Sequence, residues 1–489
     1  MRRVTFAWLL TVLISAAAYG TQDSQKHSLK CTMVHLYDEL PGEAESIAEM
    51  FSEGIFYGRL RFNSFGLQWE NEIEDEREDY AIGAVGGSMI WKSATMNGFG
   101  MGAGAYMSQG FGSLDIEDVS LYKAGKGLLS RYDLLTNGSQ NMTVLAEAYL
   151  EYNYQNTSIK AGRQIFESFL TRSNDTKMIP NTFEGLTVDS PDIYHTSFKM
   201  AYLTRQKLRD HSTFHHLLAV GDDINGTYNI FTENDDSAMH YGLKLSELQA
   251  RGIEDRLIVF QARNESIENL SLRMNYTAVP ELISSAMVQA DYRFDFGTIS
   301  VLPGVRVMQQ FDQGAGEIGG ANLKTLTEGY SDPQSLDAAL YAARIDIVED
   351  ASKLRFGYSK VADEGDIVAP WRGFPTAAFT RAMGQYNWNA NTESYMIQID
   401  HQFETIPEFK IISRFVVQDF DDKKIGVQAD SKAFTIDLFK GLGEGPLYLK
   451  TRFAHVSGDA DTIVHTTEGY VTKLDPSYDE VRFEINYLF

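Results

Sequence analysis

Arginine residues recur at alternate positions, opposite apolar side chains, in many segments of this 489-residue sequence. In one segment, Arg293 lies between Tyr292 and Phe294. Side chains of a strand point alternately to its two faces, so this arginine lies on the face opposite the aromatic pair. A guanidinium is permanently charged, and its planar fork binds carboxylates through two hydrogen bonds. The pattern therefore predicts a surface that recognises anionic groups.

The same alternation places nine arginines on the polar face of predicted strands, although the adjacent pair Ile411 and Ile412 leaves the register of Arg414 ambiguous. This predicted basic ladder comprises Arg59, Arg61, Arg273, Arg293, Arg344, Arg355, Arg414, Arg452 and Arg482. Acidic residues also fall on polar faces, and we expect them to form a wall facing the ladder that would meet an ammonium group. They are Glu151, Asp291, Asp295, Asp346, Asp437 and Glu484. An alternative is that these charges form salt bridges within the wall and give no selectivity.

The last ten residues indicate which kind of sheet carries these charges. Val481, Phe483, Ile485 and Tyr487 alternate with polar or charged residues, and the sequence ends at Phe489. An apolar face with aromatic ends is typical of the lipid-facing side of a transmembrane barrel, although a soluble edge strand can also alternate. An arginine pointing into lipid at mid-bilayer costs about 2–4 kcal/mol, so the arginines must face inward. An interior with so many charges must hold water, and the sequence therefore predicts a channel.

The beginning of the sequence predicts export. Two arginines at positions 2 and 3 precede an apolar segment and then small residues, the order found in a secretory signal peptide. We expect a signal peptide over residues 1–20, a periplasmic segment over 21–52 and a transmembrane β-barrel domain over 53–489. No later stretch has the ~18 consecutive apolar residues of a spanning helix, so the mature chain is either periplasmic or a barrel.

Composition excludes several other classes of function. The formal net charge of −24 argues against binding of nucleic acid, which needs a basic surface. The single cysteine, Cys31, excludes a disulfide within the chain. We find no motif for a catalytic nucleophile, a cofactor or a zinc site. Aspartate-rich loops such as 458–461 could hold Ca²⁺, but ordinary solvated loops are the better interpretation.

Period-two segments predict an all-β fold of 16 to 18 strands, with short turns at one end and long loops at the other, as in outer-membrane barrels. The predicted strands include 197–205, 214–220 and 256–263, among others. The irregular stretch 165–182 is long enough to be a functional loop.

Four sets of residues resemble the OprD-type outer-membrane porins, also called outer-membrane carboxylate channels. These are 55–62, the most specific set 161–164 with 173–175 and 178–185, then 369–371 with 391–395, and 478–489. The resemblance implies a closed antiparallel transmembrane β-barrel of about 18 strands whose third long loop folds inward as a constriction loop. It also implies that Arg172, Asp175 and Lys177 lie at the narrowest point.

These observations predict a porin of the bacterial outer membrane, surrounded by lipid and lipopolysaccharide, as a monomer or a loose homotrimer. We expect passive diffusion of small polar solutes that carry carboxylates, such as amino acids, organic acids and short peptides. We expect no cofactor and no enzymatic activity. The alternatives are a non-selective diffusion porin and, from another class, an enzyme embedded in a barrel.

Overall fold

The computed structural model describes residues 26–74, 76–111, 121–123, 125–222, 242–382, 386–406, 408–441, 445–466 and 469–489. The predicted signal peptide lies outside these residues. The helices of the described chain are short: α1 (Ile47–Ser52), α2 (Arg131–Asn137), α3 (Leu245–Arg251) and α4 (Ala315–Gly319). No helix among the described residues is long and apolar enough to cross a membrane.

The strands dominate the described chain. In chain order they are β1 (His27–Leu29), β2 (His35–Tyr37), β3 (Ile55–Trp69), β4 (Tyr80–Lys92), β5 (Phe99–Phe111), β6 (Asn141–Tyr154), β7 (Thr157–Gln164), β8 (Thr182–Ile193), β9 (Thr196–Lys207), β10 (Leu257–Asn264), β11 (Leu270–Val279), β12 (Ile283–Tyr292), β13 (Phe294–Phe296), β14 (Ile299–Asp312), β15 (Ala338–Glu349), β16 (Ser352–Val361), β17 (Glu393–Phe403), β18 (Phe409–Asp419), β19 (Ser431–Gly441), β20 (Leu447–Gly458), β21 (Ile463–Thr466), β22 (Gly469–Thr472) and β23 (Tyr478–Leu488).

The strands β3 to β20 and β23 form one closed antiparallel barrel. The barrel closes where β23 pairs with β3, from Tyr478 opposite Trp69 to Leu488 opposite Arg59. Because β13 continues the strand begun by β12 and pairs with the same β14, the barrel has 18 strands. The predicted fold class is therefore confirmed.

The apolar faces of the strands point outward. On β23, Val481 and Tyr487 are 47% and 45% exposed, whereas the alternate residues Arg482 and Glu484 are 3% and 0% exposed. On β17, Tyr395, Ile397 and Ile399 are exposed in the same way. A barrel that exposes its apolar side chains and buries its charged ones is suited to lipid outside and polar groups inside.

The two rims of the barrel differ, as the sequence predicted. At one rim, here called the short-turn rim, two-residue turns such as 155–156, 194–195, 297–298 and 350–351 join neighbouring strands. Gly297 and Asp350 have φ angles of 71° and 45°, the left-handed conformation that tight hairpin turns require. At the opposite, long-loop rim, the connections include 165–181, 313–337 and 362–392.

The segment 165–181 crosses the interior of the barrel. It joins β7 to β8, yet the side chain of Asn63 on β3 donates a 2.8 Å hydrogen bond to the carbonyl of Lys177. Since β3 is separated from β7 by β4, β5 and β6 in the sheet, only a path through the interior makes this contact possible. We call residues 165–181 the inner loop.

A second long loop, 362–392, joins the inner loop inside the barrel. The amide of Arg172 donates to the carbonyl of Trp371 at 3.0 Å, and the amide of Gly373 donates to the carbonyl of Leu170 at 2.8 Å. A Cβ atom at Gly373 would lie 2.3 Å from the backbone of Leu170, so this close approach requires glycine. The two loops thus form one layer within the barrel.

Two details of the predicted strands were wrong. Residues 214–220 form no strand; they lie in the long connection after β9, where Leu217 and Leu218 are buried in an apolar cluster inside the barrel. The sequence analysis also missed β8, which includes Gly185 at a break in strand register and a proline at position 191. The first error arose because a loop that enters the barrel can be as apolar as a strand. The second arose because a bulged strand loses its alternation.

Candidate functional site

The structure places all nine ladder arginines on the face opposite the outward apolar side chains, including Arg414, whose register was ambiguous. Their surroundings differ, however. Arg59, Arg61, Arg452 and Arg482 are at most 3% exposed, whereas Arg293 is half exposed. The ladder therefore divides into arginines that are enclosed by protein and arginines that reach open space.

The enclosed arginines belong to an ionic network that spans several strands. Arg414 and Arg452 both donate to Asp437, at 2.9 Å and 2.6 Å. Arg61 and Arg482 both donate to Glu484, at 2.6 Å and 3.2 Å.

The inner loop completes this network. Asp175 accepts hydrogen bonds from both Arg59 and Arg61 of β3, and it is 2% exposed. Lys177, two residues further along the loop, is 1% exposed. Two of the three charged residues that the family resemblance placed at a constriction, Asp175 and Lys177, are therefore enclosed, and Asp175 fastens the loop to the wall.

A second network lies on the strands β12 to β16, separated from the first by β17. Arg355 on β16 donates through Nε and Nη2 to the two oxygens of Asp346 on β15, at 2.6 Å each. Arg344 donates to Asp291 on β12 at 2.7 Å, across the intervening strand β14. Gly304 of β14 lies directly under this pair, and a Cβ there would be 2.4 Å from the Asp291 carboxylate. The absence of a side chain at this position makes room for the ion pair.

The acidic residues do not form a separate wall facing the arginines, and this part of the prediction was wrong. Asp291, Asp346, Asp437 and Glu484 each accept hydrogen bonds from arginines on the same or a nearby strand. The physical reason is that an enclosed charge is costly unless an opposite charge lies within hydrogen-bonding distance. Acids and arginines are therefore interleaved.

The remaining predicted residues lie near the short-turn rim. Arg293 donates to Asp295 at 2.8 Å, and both side chains are about half exposed. Glu151, near the turn after β6, lies 3.5 Å from Lys160. These pairs are far more accessible to solvent than the two networks.

Two of the arginines that the sequence analysis singled out have no hydrogen-bonded side-chain partner among the described residues. They are Arg172 of the inner loop and Arg273 of β11, and both are partly exposed. Along the sheet, Arg273 lies opposite Gln289 on β12, which lies opposite Arg306 on β14. We call Arg172, Arg273, Arg306 and Arg344 the cationic cluster.

Electrostatic repulsion links the members of the cationic cluster. The positive charges of Arg172, Arg273 and Arg344 all act on Arg306, and Asp291 is the acid that counteracts them. Arg172 and Arg344 also repel Arg273. Four cations face the three carboxylates of Asp291, Asp346 and Glu167, which leaves a local excess of positive charge that an anion from solution would relieve.

The sequence analysis missed Arg306, which is 4% exposed. Its guanidinium donates to Gln289 at 2.6 Å and to the carbonyl of Pro375 at 2.5 Å. The ring of Phe169 from the inner loop lies 4.9 Å from it, and the ring of Phe379 from the loop 362–392 lies 4.5 Å from it. The signal was available, because Arg306 alternates with the outward residues Val305 and Val307.

Glu167 of the inner loop also contributes to the charge near Arg172. Burial opposes ionisation of this carboxyl, but the hydrogen bond from Ser173 and the charges of Arg172 and Lys30 outweigh burial and lower its pKa. The Ser173 hydroxyl donates to it at 2.7 Å. Glu167 is therefore a carboxylate at neutral pH, and it holds the loop's shape beside Arg172.

Within the described part of the chain, no three His, Cys, Asp or Glu side chains are grouped so that they could hold a metal ion.

Comparisons with known proteins agree with this architecture. A search of curated proteins finds no match. Among solved structures, Pseudomonas aeruginosa OpdK with vanillate is similar with a TM-score of 0.64 and 13% identity, covering 89% of this chain and 98% of OpdK. Acinetobacter baumannii OccAB3 is similar with a TM-score of 0.65 and 14% identity, covering 89% and 99%. Pseudomonas aeruginosa OccK9 (OpdG) is similar with a TM-score of 0.64 and 16% identity, covering 90% and 99%.

At these identities the structures show the shared fold alone, and a sequence comparison identifies the family. The sequence model described as outer membrane porin, OprD family, matches residues 123–488, well over half of the chain. This family consists of outer-membrane channels rather than enzymes. Together with the closed 18-stranded barrel, the match places the protein in the bacterial outer membrane. The chain belongs to the OprD family of outer membrane porins.

Proposed function

We propose that this porin favours small polar solutes that carry a carboxylate, and that the cationic cluster is where it binds them during passage. The observation that carries the proposal is the pair of partly exposed guanidiniums of Arg172 and Arg273, neither of which donates a hydrogen bond to an acid among the described residues. A carboxylate fits a guanidinium through two parallel hydrogen bonds, each strengthened by charge.

The two enclosed networks have a different role in this proposal. Arg59, Arg61, Arg355, Arg414, Arg452 and Arg482 already bind acids of the protein, so they stabilise the wall and the inner loop. Their fields still reach the interior, but a solute would have to displace a protein carboxylate to bind them directly. The selectivity therefore depends on a few arginines rather than on a continuous ladder.

The inner loop supplies the constriction in this account. Its position across the interior and its link to β3 through Asp175 bring Arg172 toward the wall that carries Arg273. A weak site of this kind permits passage, since conduction requires binding that is favourable enough for entry and weak enough for release. OpdK, a structural relative, was solved with vanillate, a fact that concerns OpdK and is compatible with this class of solute.

A liposome-swelling assay with two matched solutes tests the proposal. Gluconate and sorbitol are six-carbon chains that differ mainly by a carboxylate, and valinomycin lets potassium balance the charge of gluconate. We expect the wild-type protein to admit gluconate faster than sorbitol, and Arg172→Gln/Arg273→Gln to lose most of this preference. The matched control is Arg293→Gln at the short-turn rim, which should keep it. Equal rates for both solutes in the wild type would instead establish a non-selective diffusion porin.

A further inference from the structure

The segment before the barrel forms a hairpin that lies inside the barrel. β1 and β2 pair from His27 opposite Tyr37 to Leu29 opposite His35, and they are joined by a turn that contains Cys31. The ring of Tyr37 stacks on Tyr57 of β3 at 5.2 Å, and Tyr57 is an inward residue with 5% exposure. We call residues 26–38 the N-terminal hairpin.

The hairpin meets the inner loop at one arginine. Arg59 donates to the carbonyl of Met33 at 2.8 Å and also to the carboxylate of Asp175. Next to it, the amide of Asp175 donates to the carbonyl of Thr32 at 2.7 Å. Lys30 lies 3.6 Å from Glu167 of the inner loop. The hairpin therefore lies directly between the inner loop and the short-turn rim.

Apart from the ring contacts of His35 and Tyr37 with Tyr57, the contacts that hold the hairpin are largely polar. Only Met33 and His35 of this segment are buried, while Leu36 is 37% exposed and Leu40, just beyond the hairpin, is 85% exposed. A segment with little buried apolar surface belongs to the least stable units of a protein, which open before the rest unfolds. The hairpin also lies outside residues 123–488, the part of the chain that the family model matches.

We propose that the N-terminal hairpin is a releasable plug at the short-turn mouth of the channel, and that acidification favours its release. Release would open the space beneath the inner loop and free the outer part of Arg59 from Met33. The inference goes beyond carboxylate preference and requires only that the chain forms a channel.

The surroundings of His35 give the plug its pH dependence. Its neighbours are His27, Tyr37 and Tyr57, with the cations Arg59 and Lys92 also acting on it. Burial and these positive charges lower the pKa of His35 to about 3, and burial also lowers the pKa of His27. No carboxylate acts on His35 to stabilise its protonated form, although Glu39 and Asp38 act on His27.

The sign of the effect follows from linkage. Above pH ~6.5 both the docked and the released hairpin have a neutral His35, so docking does not depend on its protonation. Below that pH, His35 binds a proton in the released form but not in the docked form. Each further pH unit therefore lowers the equilibrium constant for docking about tenfold, until the pH nears 3. Between pH 6.5 and pH 4.5, His35 alone shifts the docking equilibrium about 100-fold toward release.

Single-channel recording between pH 7 and pH 4.5 tests the proposal on the full-length protein. We expect a wider conductance level in the wild type that becomes up to about 100-fold more frequent on acidification. His35→Phe preserves an aromatic contact with Tyr57 and removes this titration, so its pH response should shrink to what His27 contributes. The matched control is His465→Phe, because His465 is exposed in the β21–β22 hairpin at the other rim and its loss should leave the response unchanged.

A second readout does not depend on current. Cys31 is the single cysteine of the chain and is exposed, so a nitroxide label can be attached to the wild-type protein. Its spectrum should show restricted motion at pH 7 and increased motion at pH 4.5. Deletion of residues 26–38 should give the wider conductance at pH 7. A label whose motion is the same at both pH values, or a deletion that leaves the conductance unchanged, would overturn the plug, whereas failure of all variants to conduct would instead contradict the porin itself.

Discussion

The carboxylate of Asp175 in the inner loop accepts a 2.8 Å hydrogen bond from Arg61 of β3. This contact joins residues 114 positions apart in the chain, and it connects a loop that begins at one side of the barrel to the wall at another. It also neutralises one of the arginines that the sequence offered as a solute-binding group. The same ion pair thus fixes the inner loop to the wall and occupies this arginine.

Removal of the Asp175 charge should loosen the inner loop. Asp175→Asn keeps the shape of the side chain but leaves Arg59 and Arg61 with one acid fewer, and loss of a partner in an enclosed ion pair costs about 3–5 kcal/mol. We expect a lower free energy of unfolding in urea-treated lipid vesicles and larger fluctuations of the single-channel current. Asp461→Asn, in an exposed loop, is the control and should change the stability by less than about 0.5 kcal/mol. An unchanged stability and an unchanged current in Asp175→Asn would contradict the proposed role of the loop.

Removal of Asp291, the acid that acts on Arg273, Arg306 and Arg344 of the cationic cluster, should strengthen anion binding. In Asp291→Asn, Arg344 loses the carboxylate that it contacts at 2.7 Å, so its guanidinium becomes available to a solute. A hydrogen bond to a charged group contributes about 1.5–3 kcal/mol, so gluconate should remain bound at least tenfold longer. The reversal potential in a salt gradient should also shift toward that of an anion-selective pore. Asp295→Asn, at the short-turn rim, should leave both quantities nearly unchanged, and an equal effect of the two substitutions would locate the binding elsewhere.

The pair of Arg355 and Asp346 should stabilise the wall without taking part in selectivity. Arg355→Met leaves Asp346 with only the more distant Arg344, at 3.5 Å, and Asp346→Asn leaves Arg355 without a carboxylate. Each substitution should lower the free energy of unfolding by about 3 kcal/mol. The double variant should lose less than the sum of the two, because its last unpaired charge is gone. The measurement is a double-mutant cycle in lipid vesicles. Additive losses would mean that the two side chains do not act as a pair.

A charge on the outer face tests the orientation of the strands. Ile397 lies in the middle of β17, points outward and is 45% exposed. Ile397→Arg should destabilise the inserted barrel by about 2–4 kcal/mol, the cost of an arginine near the bilayer midplane. The control Tyr470→Arg, on the β21–β22 hairpin beyond the long-loop rim, should have little effect. Similar unfolding free energies for the two variants would contradict the assignment of the apolar face to lipid.

Much of the barrel can be read from the sequence because alternation is a local property. The opposite faces of Arg482 and Phe483 follow from their adjacency, and the same argument correctly orients Arg273, Arg344 and Arg355. The partners of these arginines are not local. Arg59 meets Asp175 and Met33 only because two separate segments enter the barrel, and no pattern along the chain encodes that meeting.

The sequence also could not predict which arginines bind protein carboxylates and which remain available to a solute. Arg61 and Arg273 have the same alternating context, yet one is enclosed by Glu484 and Asp175 while the other has no hydrogen-bonded side-chain partner among the described residues. Arg61 is enclosed because the inner loop, through Asp175, packs on β3 where this arginine lies. Arg306 is a different case. It alternates with apolar residues as clearly as the other arginines do, so the sequence analysis could have included it.

The central claim is that Arg172 and Arg273 hold a solute carboxylate as it passes the inner loop. Single-channel recording with gluconate on one side of a planar bilayer tests it most directly, with sorbitol as the neutral comparison. The account predicts brief interruptions of the current by gluconate alone, at a frequency proportional to its concentration, and a dwell time at least tenfold shorter in Arg172→Gln/Arg273→Gln. Interruptions that are as frequent with sorbitol, or a dwell time that the double substitution leaves unchanged, would contradict it.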